Sequence, residues 1–449
     1  MGIARIYSTT TATPTTTTFM RRVATTFRVF PVAAALVMAA SCEDGGWPEP
    51  GTYFPFVYTP EDDLEPWEDV RWETETWDPS DPEMTALYVL KVLYHRLGAP
   101  EEELAHFELM RGRIPQLGSG LRLSFVGDVM YIDSNWSEYA LAATPLLDGD
   151  LRIANLETPT SRDHSTEPRA LGLYAFNSPP EILDNLPVDL LQLNNNHSLD
   201  AEDLGLENTI AEVEAREIRH TGVDAQLVID VAAPDGETHR VAFLAYTWGV
   251  NDGRRSENGH ELHIVPFGHI GEDISLDLVD NQIAEARADG AETVVTLLHW
   301  GFEYEHFPDP HFMVLARSII ALGADLVVGQ GPHVVQPPEV CFVNQPEHVP
   351  GVGTCSLLTD DGAPRTAAVL YSLGNFGAQM GSLPAQVGLV ATVSVDDTGV
   401  TGLGWDAVAT IRVDELPFVV PLDDLLDDPE YVEERDRLRE HIGAGWERR

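Results

Sequence analysis

The chain has 449 residues, with 73 acidic side chains against 27 basic ones and a formal net charge of −46. So acidic a surface excludes nucleic acid and anionic membranes as partners held by charge, and it repels a polyanionic ligand at long range unless a bound cation reverses the local sign. With 43% apolar residues there is material for one large α/β domain plus a smaller unit.

The first predicted element is an export signal. Arg21 and Arg22 precede an apolar run, Val32–Ala40, too short to span a bilayer, and Ser41-Cys42 follow it. A basic region, an apolar region and small residues before a break describe a secretory signal. With the cysteine directly after the small residues, the segment resembles a bacterial lipoprotein signal over 1–42, with Met20 as an alternative start and lipid carried on Cys42; an ordinary cleaved signal is the competing reading. Residues 43–83 are rich in Glu, Asp, Pro and Trp and poor in aliphatic side chains, and read as a linker. Helical spacing begins at 84, with Leu87, Leu90, Leu93, Tyr94 and Leu97 on one stripe, and defines a helical extension over 84–118.

From Leu121 apolar strands alternate with amphipathic stretches such as Leu206–Ile218 and Leu276–Ala288, the pattern of a layered α/β domain over 119–420. Val387–Val395 and Val408–Val413 read as antiparallel strands that close it. Residues 421–449 are acidic and then mixed in charge, and read as a peripheral helical tail. Cys341 and Cys355 lie downstream of an export signal, where pairing is the default, and a bridge closing so short a loop would stabilise by roughly 3 kcal/mol.

Five polar motifs end apolar runs in this domain. Leu121–Val126 leads to Gly127-Asp128, Leu151–Ala154 to Asn155-Leu156-Glu157, and Leu190–Leu193 to Asn194-Asn195-Asn196-His197. Thr293–Leu298 leads to His299-Trp300-Gly301, and Asp325–Val328 to Gly329-Gln330-Gly331-Pro332-His333. Ligand sites of open α/β sheets form outside the carboxyl ends of the strands. Asp128, Glu157, Asn196, His299 and His333 are therefore expected to share one divalent-metal site, with Mn, Zn or Fe as the candidate ion. Glycine before Asp128 lets the backbone turn the carboxylate off the sheet edge; helix capping by Asp128 is the rival. Glu157 is either a bridging carboxylate or a surface residue before a loop. His197, free of metal, is the candidate proton donor, with Asp200 orienting it; the Asn run alone would be explained by a turn. A single His299 at a strand end is more often a satisfied structural residue, and the companion motifs raise the metal reading above that. Glu303, Tyr304, His306 and Gln336 are placed at the pocket, and Asn375 is expected to hold a neighbouring loop.

In this order the motifs resemble the bacterial capsule-synthesis CapA family of poly-gamma-glutamate capsule proteins, over roughly residues 121–378. The match rests on Gly127-Asp128, Asn155-Leu156-Glu157, Asn195-Asn196-His197 with Leu199-Asp200, His299 to Tyr304, Gly323-Ala324-Asp325 through Gln336, and Tyr371 to Phe376. The resemblance implies a layered calcineurin-like metallophosphatase fold, two packed β-sheets flanked by helices, and a link to capsule polymer formation, export or anchoring. Many members carry His where this chain has Gln330, a poorer zinc ligand. Two functions compete: a metal-dependent hydrolase of a phosphoester or related bond, acting on capsule polymer or a phosphorylated small molecule, and a non-catalytic accessory lipoprotein that handles or anchors polymer beside the envelope capsule machinery.

Overall fold

The computed structural model describes residues 97–167, 175–234, 236–251, 254–267, 274–359 and 363–443. The export signal with Cys42, the 43–83 linker and the stripe from Leu87 to Tyr94 lie outside the described residues. The helix that follows, α1 (Glu101–Arg111), buries His106, Phe107 and Met110, while Leu97 precedes it.

One half of the sheet grows from β1 (Leu121–Val129), β2 (Leu151–Leu156), β3 (Leu190–Gln192) and β4 (Arg219–Thr221), all parallel, with helix α2 (Glu202–Glu214) between the last two. The other half contains β5 (Leu227–Ala232), β6 (Thr238–Thr247), β7 (Thr293–His299) and β8 (Leu326–Gln330), of which β6, β7 and β8 are parallel. Helices α3 (Asp277–Ala288) and α4 (Pro310–Leu322) supply the crossovers. Both β7 and β8 are buried along their whole length, which is why they read as continuous apolar runs.

Strands β9 (Glu339–Val343) and β10 (Cys355–Leu357) pair at the second half's margin, β9 also pairing with β11 (Arg365–Leu370), and the Cys341–Cys355 disulfide joins them as the sequence predicts. The close of the domain is antiparallel, as expected: β12 (Val387–Asp396), β13 (Gly399–Val413) and β14 (Leu416–Pro421), with β12 also pairing to β1. In hydrogen-bond terms all 14 strands are continuous. Along the strand ladder the halves join where β11 and β13 pair, at Thr366 and Gly399. Leu121, Leu123 and Phe125 of β1 share one buried cluster with residues of β6, β7 and β8, so the halves enclose a common core in a mixed α/β fold.

Helix α5 (Pro429–Ile442) corrects the reading of the tail as peripheral: Leu438 and Ile442 are fully buried in the same cluster as Phe107 and Met110 of α1. Its mixed charge hid this, because only one narrow apolar stripe faces inward. Among the described residues no helix is long and apolar enough to cross a membrane.

Candidate metal centre

The carboxyl ends of β1, β2 and β3 and those of β6, β7 and β8 open toward one place, and the segment after β11 ties them together. Asp128 bridges to Asn375 there, with Asp128 N donating to Gly374 O at 3.0 Å and Phe376 N donating to Asp128 O at 2.7 Å. Gly127 has a different reason from the expected sharp turn. It lies within β1, and a Cβ there would sit 2.0 Å from the Gly374 carbonyl oxygen. Close approach, not turning, demands glycine.

Asp128 caps no helix, since none begins near it, and its carboxylate is fully buried. Oδ1 accepts from Asn155 Nδ2 at 2.8 Å, and Oδ2 accepts from Gly331 N at 3.2 Å and lies 3.3 Å from His333 Nδ1. Burial raises this carboxyl's pKa, but the hydrogen bond and charge of His333, the charge of His299 and the Asn155 donor together hold it below the usual range.

Glu157 is no surface residue either. It is fully buried, and neither carboxylate oxygen has a hydrogen-bond partner. Three imidazole nitrogens surround it: His299 Nε2 at 3.5 Å, His333 Nδ1 at 3.8 Å and His197 Nε2 at 3.9 Å. Burial and the neighbouring charges of Asp128 and Glu303 push its pKa well above the carboxylate range, with His333 opposing.

His299 ends β7. Burial depresses its pKa to about 3, which keeps the imidazole neutral, the form that ligates metal. Asp128, Glu157 and His299 each offer a ligand atom within 4.8 Å of the other two. His333 occupies a left-handed backbone conformation (φ 59°), as does Tyr304 (φ 64°), whose N–H donates to Pro332 O at 2.8 Å. Non-glycine residues held there store strain of order 1–3 kcal/mol, commonly at functional sites. Burial opposes protonation of His333, but without a metal Glu157 and Asp128 overcome it and raise the pKa to about 10, so a cation seated between these carboxylates would have to displace that proton for His333 to ligate. Its Nδ1 also lies 3.1 Å from Asn375 Oδ1, and Asn375 Nδ2 donates to Ala385 O at 2.7 Å, the loop-holding role expected of Asn375.

The buried Oδ1 of Asn196 has no hydrogen-bond partner. His197 beside it places Nδ1 at 2.6 Å from Asp200 Oδ2, which also accepts from Phe176 N at 2.7 Å. Burial raises the Asp200 pKa, while the charge and hydrogen bond of His197 oppose the rise. Gln330 donates its amide N–H to Val126 O at 2.9 Å, leaving a buried Oε1 without a hydrogen-bond partner.

Two amides escaped the sequence reading. Asn155 lies between Asp128 and His299, its Nδ2 at 3.3 Å from His299 Nδ1. Asn195, read as part of a turn, donates to Asn155 Oδ1 at 3.1 Å and Leu156 O at 2.8 Å, and accepts from His197 N at 3.1 Å. Asparagines inside two of the motifs were the available signal; turn propensity masked it.

This is a mixed α/β protein with a buried carboxylate–imidazole centre at its strand ends, the class of site that holds a divalent cation. The family of bacterial capsule synthesis proteins, PGA_cap, matches residues 122–380, more than half of the chain, and the chain belongs to it. It is 25% identical over 236 residues to the PGA biosynthesis protein CapA of Bacillus subtilis (strain 168), a match covering 49% of this chain and 59% of that one. It is likewise 25% identical over 236 residues to the capsule biosynthesis protein CapA of Bacillus anthracis, covering 48% and 55%. The chain thus spans little more than half the length of these relatives. Among solved structures, a calcineurin-like phosphoesterase, YfkN, from Bacillus subtilis aligns over 68% of this chain and 89% of its own, at 12% identity and a TM-score of 0.33.

Proposed function

We propose that the protein is an envelope component of poly-gamma-glutamate capsule biosynthesis whose buried centre binds a divalent metal and hydrolyses a phosphoester or related bond. One observation carries the metal reading: a fully buried glutamate, Glu157, with both oxygens unpartnered and three imidazoles facing it. A buried carboxylate without donors is costly, and a cation is the partner its surroundings fit. The Asn196 oxygen, buried and unpartnered, fits the same ion. Asp128, Glu157, Asn196, His299 and His333 would hold it. The set mixes oxygen and imidazole nitrogen, which suits Mn, Fe or Zn.

Bound there, the ion would polarise the substrate oxygen and acidify water. The chain's own residues do the rest. Asp200 accepts a hydrogen bond from His197 Nδ1 and fixes the ring, leaving Nε2 to deliver a proton to the departing oxygen. Asn155 and Asn195 hold Asp128, His299 and the His197 loop in register. The test is a phosphomono- and phosphodiesterase screen of purified protein, chelated and then supplied with Mn or Zn. His197→Ala is expected to keep its metal and lose about a hundredfold to ten-thousandfold in rate. A wild type that holds metal yet turns over nothing would overturn the hydrolase reading in favour of a polymer-handling accessory role.

The Arg21-Arg22, apolar run, Ser41-Cys42 order supports export and anchoring through lipid on Cys42. Cell fractionation checks it: wild type should sediment with membranes and Cys42→Ala should not, whereas a freely soluble wild type would refute the anchor.

A further inference from the structure

Gln336 is one of the residues the motifs place at the pocket, and the structure gives its side chain a different partner. It is buried, three positions after His333. Its Nε2 donates to Glu305 O at 2.7 Å, and its backbone N donates to Ser372 O at 3.1 Å. Each partner belongs to a segment that carries or fixes part of the centre. Glu305 closes the turn that leaves β7 after His299, and Tyr304 N in that turn donates to Pro332 O at 2.8 Å. Ser372 lies in the segment whose Gly374 O accepts from Asp128 N and whose Asn375 Nδ2 donates to His333 O at 3.4 Å. One buried glutamine therefore joins the segments that deliver His299, His333 and Asp128. Behind the Glu305 turn the ring of His441 packs on Phe307, centroids 4.8 Å apart, and on His306 at 6.0 Å, so α5 backs the turn to which Gln336 is tied.

Backbone strain makes this tie matter. His333 and Tyr304 both hold left-handed conformations, which persist only where the surroundings over-determine them. The Tyr304 N–H and the Gln336 side chain close the two loops against each other at either end. Glutamine suits the place because its amide donates to a carbonyl oxygen. A carboxylate of the same length would bring oxygen against oxygen, and a hydrocarbon chain would take this donor from a buried carbonyl. We propose that Gln336 is a positioning residue of the centre: by tying the His333 loop to the turn that follows His299, it sets the separation of the two imidazoles and with it the affinity for the ion. This rests on the metal reading of the centre. Gln336 acts through His333 and not on the ion.

The test is metal affinity set against stability. Mn titration of the chelated full chain compares wild type with Gln336→Met, which keeps the length and removes the donor. Partners that orient metal ligands matter about tenfold to a hundredfold in affinity, and Gln336→Met is expected to bind Mn about tenfold more weakly. Ile283→Ala, a core truncation beside Gly323 beyond the amino end of β8, controls for stability. It should lower the melting temperature at least as far and leave Mn affinity within about twofold of wild type. A Gln336→Met affinity equal to wild type, or an equal loss in Ile283→Ala, would overturn the proposal. Amide exchange in excess chelator reads the tie without any ion. Gln336→Met should speed exchange of the Tyr304 and Gln336 amides by about fivefold, the weight of one hydrogen bond. The Leu193 amide, which donates to Thr221 O in the other half of the sheet, should keep its wild-type rate. If wild type binds Mn and these rates do not change, the positioning role alone falls. If wild type binds no Mn, the metal reading falls and takes the positioning role with it.

Discussion

A carboxylate buried without a hydrogen-bond donor costs several kcal/mol unless a cation or a proton neutralises it, and Glu157 stands in that position between Asp128 and three imidazoles. On the metal reading, Glu157 should therefore be a liability when the ion is removed. Glu157→Gln keeps the shape and removes the charge. It is expected to lose metal and yet to raise the melting temperature of chelated protein by about 2 °C or more, read by calorimetry in excess chelator. A lower melting temperature than chelated wild type would mean that Glu157 is structural. His197 and His299 differ in the same physical terms. His299 is driven to the neutral form by burial, whereas His197 has its Nδ1 committed to Asp200, the difference on which the proposed roles of ligand and proton donor rest.

The elements around the centre are fastened by a second buried network. Glu339, at the start of β9, is fully buried and takes hydrogen bonds from His106 of α1, from Arg317 of α4 at 2.6 Å, and from Tyr371 at 2.7 Å. His106 Nδ1 accepts from Gly353 N at 2.9 Å, so its Nε2 donates to Glu339, and the adjoining strands carry the Cys341–Cys355 bridge. Burial raises the Glu339 carboxyl pKa, but these donors outweigh it and the net shift is downward from 4.5. A depressed folded-state pKa gives stability that is present above the unfolded value and lost as pH falls through the folded one. Glu339→Gln should therefore cost about 3 kcal/mol at pH 7, and the gap to wild type should narrow as pH drops below about 4.5. Denaturant melts across that range measure it; a gap that stays constant with pH would contradict the assignment. The Glu339 network was not legible in the sequence, where nothing marks His106 as a partner. Its partners lie more than two hundred positions away, and nothing local marks a buried ion pair. What was legible follows from local rules: apolar runs ending in polar motifs gave β1, β2, β3, β7 and β8, and paired cysteines gave the bridge. The true reason for Gly127 needed tertiary contact, as did the burial of α5.

At the scale of the molecule, two sheet halves whose strand ladders join at β11 and β13 bring six parallel-strand ends to one place, and the buried carboxylates and imidazoles at that place are what the proposed function depends on. The net charge of −46 bears on this too, since a surface of that sign concentrates divalent cations and repels anionic substrate until the ion is bound. Strand order was beyond the sequence because β12 inserts beside β1 from far downstream, and pairing of that range leaves no periodic trace. Metal titration of chelated full-length chain, with bound ion counted by mass spectrometry after equilibrium dialysis, tests the central claim most directly. Wild type should take up at least one Mn or Zn ion per chain at micromolar concentration, and His299→Ala, folded by circular dichroism, should take up none at that concentration. A wild type that binds no divalent ion, or a His299→Ala variant that binds as wild type does, would contradict the account.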